Sequence, residues 1–301
     1  MMWRKKGLIY CPNGGFMTPH AMLIGDRIRI YGGVRDAEGI SRISYIDVDA
    51  DNPAKILYES KKPCLDIGNP GTFDDNGVIL GDIIKVNNDF WMYYVGFQHV
   101  QKAKFYAFSG LAISSDGGKT FERWSEVPVM DRTGKGKFGR CIHTVLHENG
   151  IFKIYYAVIH SWQYINATPY PAYNIWYTES ANGHDISCED SCLCVNVEGN
   201  EYRIGRPKVY KTTEGYEMLY TRDLLSKEYL AGYAVSHDGR KWVRQDKQLN
   251  LLKSEDDGAF DSQMACYPVK LNCNDKTYLF YNGNGMGQSG IGYAELLQEG
   301  E

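Results

Sequence analysis

The chain predicts an all-β fold, a five-bladed β-propeller with four antiparallel strands per blade. Three observations carry this: a tyrosine that recurs at a near-constant interval, a second repeat interleaved with the first, and turn residues set between alternating apolar runs. Tyr31, Tyr94, Tyr156, Tyr220 and Tyr281 lie 63, 62, 64 and 61 residues apart. Each closes the second of two apolar runs joined by a short turn. At an offset of 187 residues, three periods, residues 71–96 align without a gap and share Gly71/Gly258, Phe73/Phe260, Asp74/Asp261, Asn87/Asn274, Tyr94/Tyr281 and Gly96/Gly283. GLAISSDGGK at 110–119 matches GYAVSHDGRK at 232–241, two periods later. A unit of about 62 residues holds two hairpins, the content of one four-stranded blade, and a lone blade cannot bury both faces.

The units follow one another from the N-terminus. MLIGDRIRIYGG opens the series, with alternation in RIRIY and a Gly25-Asp26 turn. ILGDIIKVNNDFWMYYVG turns at Asn88-Asp89, and TVLHENGIFKIYYA at Asn149-Gly150. KVYKTTEGYEMLYT and VKLNCNDKTYLFYNG complete the set. The Asp-Gly pairs at Asp116 and Asp238 mark the hairpins between third and fourth strands, where an aspartate carboxylate bonds turn amides. SSDGGKTF around Asp116 has the Asp-box pattern seen on sialidase hairpins. The last unit, ending at GIGYAELL, is one strand short. The opening segment KKGLIYC is expected to supply that strand and close the ring, pairing residues 7–11 with residues 290–296. Five units use residues 1–301 as a single domain.

Composition narrows the function. The 33 Lys+Arg against 37 Asp+Glu give no basic excess, which argues against a nucleic-acid partner. A hydrophobic content of 43% suits a sizeable core, yet no apolar run is long enough to span a bilayer. The start MMWRKKGLIYCPN lacks the apolar stretch of a signal peptide, so a cytoplasmic protein with reduced cysteines is expected. Cys188, Cys192 and Cys194 fall short of the four ligands zinc prefers and read as side chains of an outer hairpin. No cofactor motif is present and none is expected, nor a metal.

In a propeller, entries into the innermost strands and the connections from second to third strands surround one funnel. The entries bring His20, Gly81-Asp82, His143, Arg206-Pro207 and Tyr267-Pro268 to its floor. The connections add Arg35 and Asp36; His99, Lys102 and Lys104; His160, Trp162, Tyr164, Tyr170 and Tyr173; Arg222 and Asp223; and Asn282 and Asn284. Flat aromatics beside Asn, Asp and Arg suit a saccharide, whose C–H faces pack on rings while its hydroxyls need paired donors and acceptors. His20, His143 and Arg206 favour an anionic or phosphate-bearing one. The recurrence of Asp74 and Asp261 fits a structural contact and a substrate contact equally.

At these residues the chain resembles the five-bladed propeller carbohydrate enzymes of glycoside hydrolase families 43, 32, 68, 117 and 130. Within that group it is similar to a bacterial branch that resembles the propeller portion of glycosylinositol phosphoceramide transferases. The resemblance is carried by FDDNGVILGDII, IGRPKVY, GYAVSHDGRKW, FDSQMACYP and YNGNGMGQSGIGYAE. It implies three catalytic carboxylates, at the openings of blades 1, 3 and 4. This sequence departs at all three, reading Thr18-Pro19-His20, Cys141-Ile142-His143 and Gly205-Arg206-Pro207, and it has Gln263 where the related branch often has Glu. Acid and base are then expected from Asp74, Asp82 and Asp261. His20 or His143 would carry protons, and Arg35, Arg206 and Arg222 would hold a charged group. Tyr267, Trp162, Asp36, Gln263, Asn282 and Asn284 complete the expected saccharide contacts.

The resemblance implies a glycoside hydrolase-like enzyme that cleaves or transfers a glycosyl unit of a polar or anionic saccharide. A silent glycan-binding propeller and a transferase or phosphorylase using a sugar phosphate are the alternatives; a sialidase is disfavoured by five units in place of six. Two carboxylates about 5–10 Å apart across the funnel would mark the hydrolase.

Overall fold

A computed structural model describes residues 1–297. It is built almost wholly from antiparallel strands. The first unit comprises β2 (Met17–Ile24), β3 (Arg27–Arg35), β4 (Ser41–Asp49) and β5 (Ile56–Glu59). The second comprises β6 (Val78–Val86), β7 (Asp89–His99), β8 (Phe105–Ser114) and β9 (Glu122–Arg123). The third runs through β10 (Gly139–Glu148), β11 (Ile151–Ile165), β12 (Thr168–Ser180) and β13 (Cys192–Val195). A single parallel bridge, Gly139 to Ala107, links the second and third units. The fourth comprises β14 (Glu201–Thr212), β15 (Gly215–Leu224), β16 (Tyr229–Ser236) and β17 (Val243–Arg244). The last orders β18 (Cys266–Cys273), β19 (Lys276–Asn282) and β20 (Ile291–Leu296) with β1 (Trp3–Tyr10) on its outside. The N-terminal strand therefore pairs with the C-terminal one as expected, although it begins earlier than residue 7.

Two-residue loops join the first and second strands of every unit. Asn87, Asn149 and Asn274 hold left-handed φ of 55°, 52° and 52° there, the conformation that matches a hairpin to the strand twist. The core lies between units, not within them. Ile28 and Ile30 of the first unit pack with Val269 and Phe280 of the last. Tyr31 packs with Leu80 and Met92, Tyr93 with Ile142 and Ile154, Tyr155 with Val209 and Met218, and Leu219 with Leu279.

Tyrosine hydroxyls clasp one unit to the next. Tyr31 donates to Gly118 O (2.7 Å), Tyr93 to Gly183 O (2.8 Å), Tyr155 to Gly239 O (2.9 Å) and Tyr278 to Ala50 O (3.1 Å). Each acceptor lies in the outer turn of a neighbour; of the periodic tyrosines only Tyr31 makes this clasp, while Tyr94, Tyr220 and Tyr281 bond carboxylates of their own units. The innermost strands β2, β6, β10, β14 and β18 touch in succession, and β18 touches β2.

The segment expected as a long aromatic loop at 159–174 is instead a continuation of β11 and β12. Pairing runs from Ser161–Ala172 to Ile165–Thr168 and closes at Asn166-Ala167, with φ of 48° and 63°. Pro169 and Pro171 are accommodated because β13 pairs only with Ile175–Tyr177, so the outer edge of β12 needs no donors there.

Candidate functional site

All five innermost strands carry a β-bulge near their entry. The extra residues are Thr18-Pro19, Gly81, His143, Arg206-Pro207 and Tyr267-Pro268. A bulge re-aims side chains and removes proline from the ladder, where it has no N–H to give. Thr18, Arg206 and Tyr267 hold left-handed φ of 54°, 56° and 52°, strained for a non-glycine residue before proline. Gly81 has no substitute: a Cβ there would lie 2.3 Å from Ile142 O.

Above the bulges lies a cavity of about 440 Å³. Phe97, Phe105, Tyr170, Tyr173 and Tyr229 form much of its wall, and Thr18, His143, Arg206 and Tyr267 its floor, which they share with a narrow throat below. Its charged lining is Arg35, Lys104, Arg203 and Arg206, joined by His99 and His143. Among the described residues, no aspartate or glutamate lines it.

Arg203 is compensated. It is 6% exposed, its Nε and Nη2 donate to Asp223 (3.0 and 2.6 Å), and its guanidinium lies 5.1–5.8 Å from the rings of Tyr170, Tyr173, Tyr202 and Tyr229. Arg35, Lys104 and Arg206 form no ion pair among the described residues. Arg206 donates to Leu80 O (2.6 Å) and lies 5.6 Å from the Tyr267 ring. Three polar atoms of the lining are buried without a partner: Thr18 Oγ1, Ser41 Oγ and His143 Nδ1.

Beneath the floor, Asp82 binds the Lys208 ammonium and stands 3.0 Å from His20 Nδ1, tying β6, β14 and β2 together at the axis. Its second oxygen accepts the Val145 N–H (2.8 Å) from β10. Burial pushes the Asp82 carboxyl up, but Lys208 and His20 overcome this and hold it at about 2. Burial, then Lys208, lowers His20; burial, then Arg206 and Lys208, lowers His143 well below its ordinary value. Both rings are therefore neutral in the folded state at neutral pH. The unfolded chain takes up protons below pH 6.5 that the folded chain refuses, so stability falls as pH drops from 7.5 to 5.5. Urea unfolding at the two pH values checks this, and a His143→Gln variant is expected to show a shallower loss. Equal stability at both values would contradict neutral, buried rings.

Of the residues expected around the funnel, Arg35, His143, Arg206 and Tyr267 line the cavity, as do His99, Lys104, Tyr170 and Tyr173. The three proposed acid–base carboxylates do not. Asp74 accepts from Tyr94 Oη (2.9 Å) and Arg123 Nε (2.8 Å), and Asp261 pairs with Lys5 (2.5 Å) and Tyr281 Oη (2.9 Å). Their recurrence thus reflects one repeated role: each carboxylate joins the second-strand tyrosine of its own sheet to a cation on the outermost strand. Asp82 and His20 are consumed by the axial ion cluster. Asp36 accepts the amides of Glu38 (3.0 Å) and Ile40 (2.9 Å) in its own turn and pairs with Arg42 (2.6 Å). Trp162 packs against Phe105 and Phe138. Arg222 pairs with Glu201 (3.2 Å). Gln263 is exposed, and its amide donates to Asn284 Oδ1 (2.7 Å), which holds that loop. Asn282 is fully buried; it accepts from the Thr18 amide (2.9 Å) and donates to Phe16 O (2.6 Å), fixing the bent entry to β2. Sequence reasoning does not select Arg203, Thr18 or Ser41. The periodicity of the inner-strand entries could have indicated Thr18; nothing local distinguishes Ser41.

No protein-family model matches the chain. It is 30% identical over 305 residues to "Uncharacterized protein Rv1502" of Mycobacterium tuberculosis, across 98% of this chain and 99% of that one. It belongs to the Rv1502 family. A second member, "Uncharacterized protein MT1551" of another strain of that species, matches to the same extent. This Rv1502-family chain also superposes on a thermostable family-43 glycoside hydrolase with a TM-score of 0.73 at 17% identity, covering 100% of this chain and 95% of the other. A structure described as "Glycoside hydrolase" gives 0.73 at 17% identity, covering 97% and 90%. One from work on the GH130 family of mannoside phosphorylases and glycoside hydrolases gives 0.69 at 16% identity, covering 98% and 93%. At these identities the likeness is one of fold, the glycoside hydrolase β-propeller. No helix among the described residues is long and apolar enough to cross a membrane.

Proposed function

We propose that this Rv1502-family chain is a carbohydrate-active, five-bladed propeller of one domain whose cavity takes an anionic saccharide. The observation that carries the reading is the cavity's charge: Arg35, Lys104 and Arg206 without ion pairs, beside the paired Arg203, and no carboxylate among the described residues of its lining. Aromatic walls of Phe97, Tyr170 and Tyr173 support a sugar ring, and the closed succession of innermost strands supports the blade count. The neighbours' association with glycosidases and phosphorylases supports the substrate class. Eight cysteines, all free, support a reducing compartment such as the cytoplasm.

Hydrolysis by a carboxylate pair has no support in this lining, since acid and base must both reach the scissile bond. Glycosyl transfer away from an anionic leaving group asks less of the protein. The C1–O bond breaks with its electron pair moving to the anion, and Arg35 and Arg206 stabilise the charge that develops. An acceptor hydroxyl attacks C1 and its proton passes to the departing anion. A catalytically silent binder of anionic glycans is the second reading, favoured by the same lack of a carboxylate among the described residues of the lining.

Calorimetry with matched neutral hexoses, hexuronates and hexose phosphates tests the proposal. Saturable, salt-sensitive binding is expected for an anionic sugar and none for its neutral parent. Equal binding of neutral and anionic sugars, unaffected by salt, would defeat it. Product release from the bound anionic sugar separates the transferase from the binder.

A further inference from the structure

Resting on that reading of the cavity, we infer that it holds a phosphate subsite, formed by Arg206, Thr18 and His143 of the floor with Arg35 and Ser41 of the lining, so that the saccharide enters phosphate first. The geometry selects the oxyanion. Thr18 is 6% exposed, Ser41 7% and His143 4%, and each leaves a side-chain polar atom buried without a bond inside the protein. An unmet buried donor costs about 1–3 kcal/mol, so three in one cavity lining mark a place where a ligand or water completes the bonding.

Two arginines without carboxylate partners among the described residues line this same cavity. Arg206 lies 5.6 Å from the Tyr267 ring of the floor, and its charge helps lower His143. Arg35 stands opposite Ser41 across β3 and β4, which brings guanidinium and hydroxyl to one corner.

A carboxylate presents two oxygens in a plane and one negative charge. A phosphate monoester presents three terminal oxygens in a tetrahedral array and close to two charges. Two guanidiniums, two hydroxyls and one imidazole nitrogen match the second count of acceptors and charge. His143 is suited to this place because it stays neutral, adding an N–H donor in its Nδ1-protonated tautomer without depending on pH near neutrality. The strain at Thr18 and Arg206 has a use here: the bulges turn both residues toward the axis, and Asn282 holds Thr18 in that conformation. With phosphate on the floor, the sugar faces the aromatic wall of Phe97, Tyr170 and Tyr173.

The test is calorimetric titration of the full chain at fixed ionic strength with inorganic phosphate, glucose 1-phosphate, glucose 6-phosphate and glucuronate. One phosphate site is expected, with at least tenfold preference for the tighter hexose phosphate over glucuronate. Hexose phosphate binding tenfold tighter than inorganic phosphate supports an esterified ligand; equal affinity supports free phosphate as the occupant and overturns the phosphate-first saccharide. Arg35→Met is expected to weaken phosphate binding at least tenfold, and Ser41→Ala, which removes only a hydroxyl, about three- to tenfold, with unchanged far-ultraviolet circular dichroism. Unchanged affinity in both folded variants would move the site elsewhere and end the inference. Glucuronate binding as tightly as the phosphates would end it too, while leaving the anionic-saccharide reading intact. Failure of all four probes would remove both.

Discussion

Replacing Asp82 by alanine is expected to destabilise the protein by about 3–5 kcal/mol, the range for removing one partner of a buried ion pair. Asp82 is 4% exposed and, among the described residues, is the only carboxylate that meets Lys208, itself 8% exposed. Without it an ammonium remains at the axis with His20 alone, and the Val145 amide loses its acceptor. The loss also uncouples β6 from β14, β2 and β10. For a chain of this size the melting temperature should fall by about 5–8 °C. Denaturant unfolding of the variant beside wild type measures it. A difference under about 1 kcal/mol would mean that the axial cluster does not hold the ring together. The carboxylate's contribution is present above its unfolded value near 3.8 and disappears as pH falls toward 2.

Arg203→Met should lower both stability and binding. It leaves Asp223, 1% exposed, facing Tyr202 and Lys227 alone, a loss of about 3 kcal/mol. The four tyrosines around the guanidinium also lose the group that spaces them, so the wall at Tyr170, Tyr173 and Tyr229 closes in on the cavity. Arg203→Lys keeps the charge but not the paired donation from Nε and Nη2, and should recover only part of either effect. Denaturant unfolding and titration with the tightest anionic sugar read the two losses. Wild-type stability in Arg203→Met would show that the ion pair is dispensable, and wild-type binding that the wall does not depend on it.

The fold was legible because its period is imposed by local chemistry that repeats. Asn-Asp and Asn-Gly turns announce their hairpins, and Tyr94, Tyr220 and Tyr281 recur because each bonds a carboxylate of its own unit. The site was legible only in part. Position along the repeat brings Arg35, His143, Arg206 and Tyr267 to one cavity. It does not say which polar residues are already satisfied. Asp74 and Asp261 look functional in a sequence because carboxylates rarely recur by chance. Their partners, Arg123 and Lys5, lie 49 and 256 residues away and carry no mark of the pairing.

The amino-acid order alone thus determined the all-β architecture, the period, the hairpin turns and the set of residues that can reach the axis, since these follow from alternation and turn conformation over a few residues. Tertiary structure alone decided that Asp82 and His20 serve Lys208, that Arg203 is neutralised by Asp223 while Arg35 and Arg206 are left uncompensated, and that no carboxylate among the described residues reaches the cavity wall. Charge compensation is a matter of distances between strands far apart in the chain, and those distances exist only once the sheets have packed.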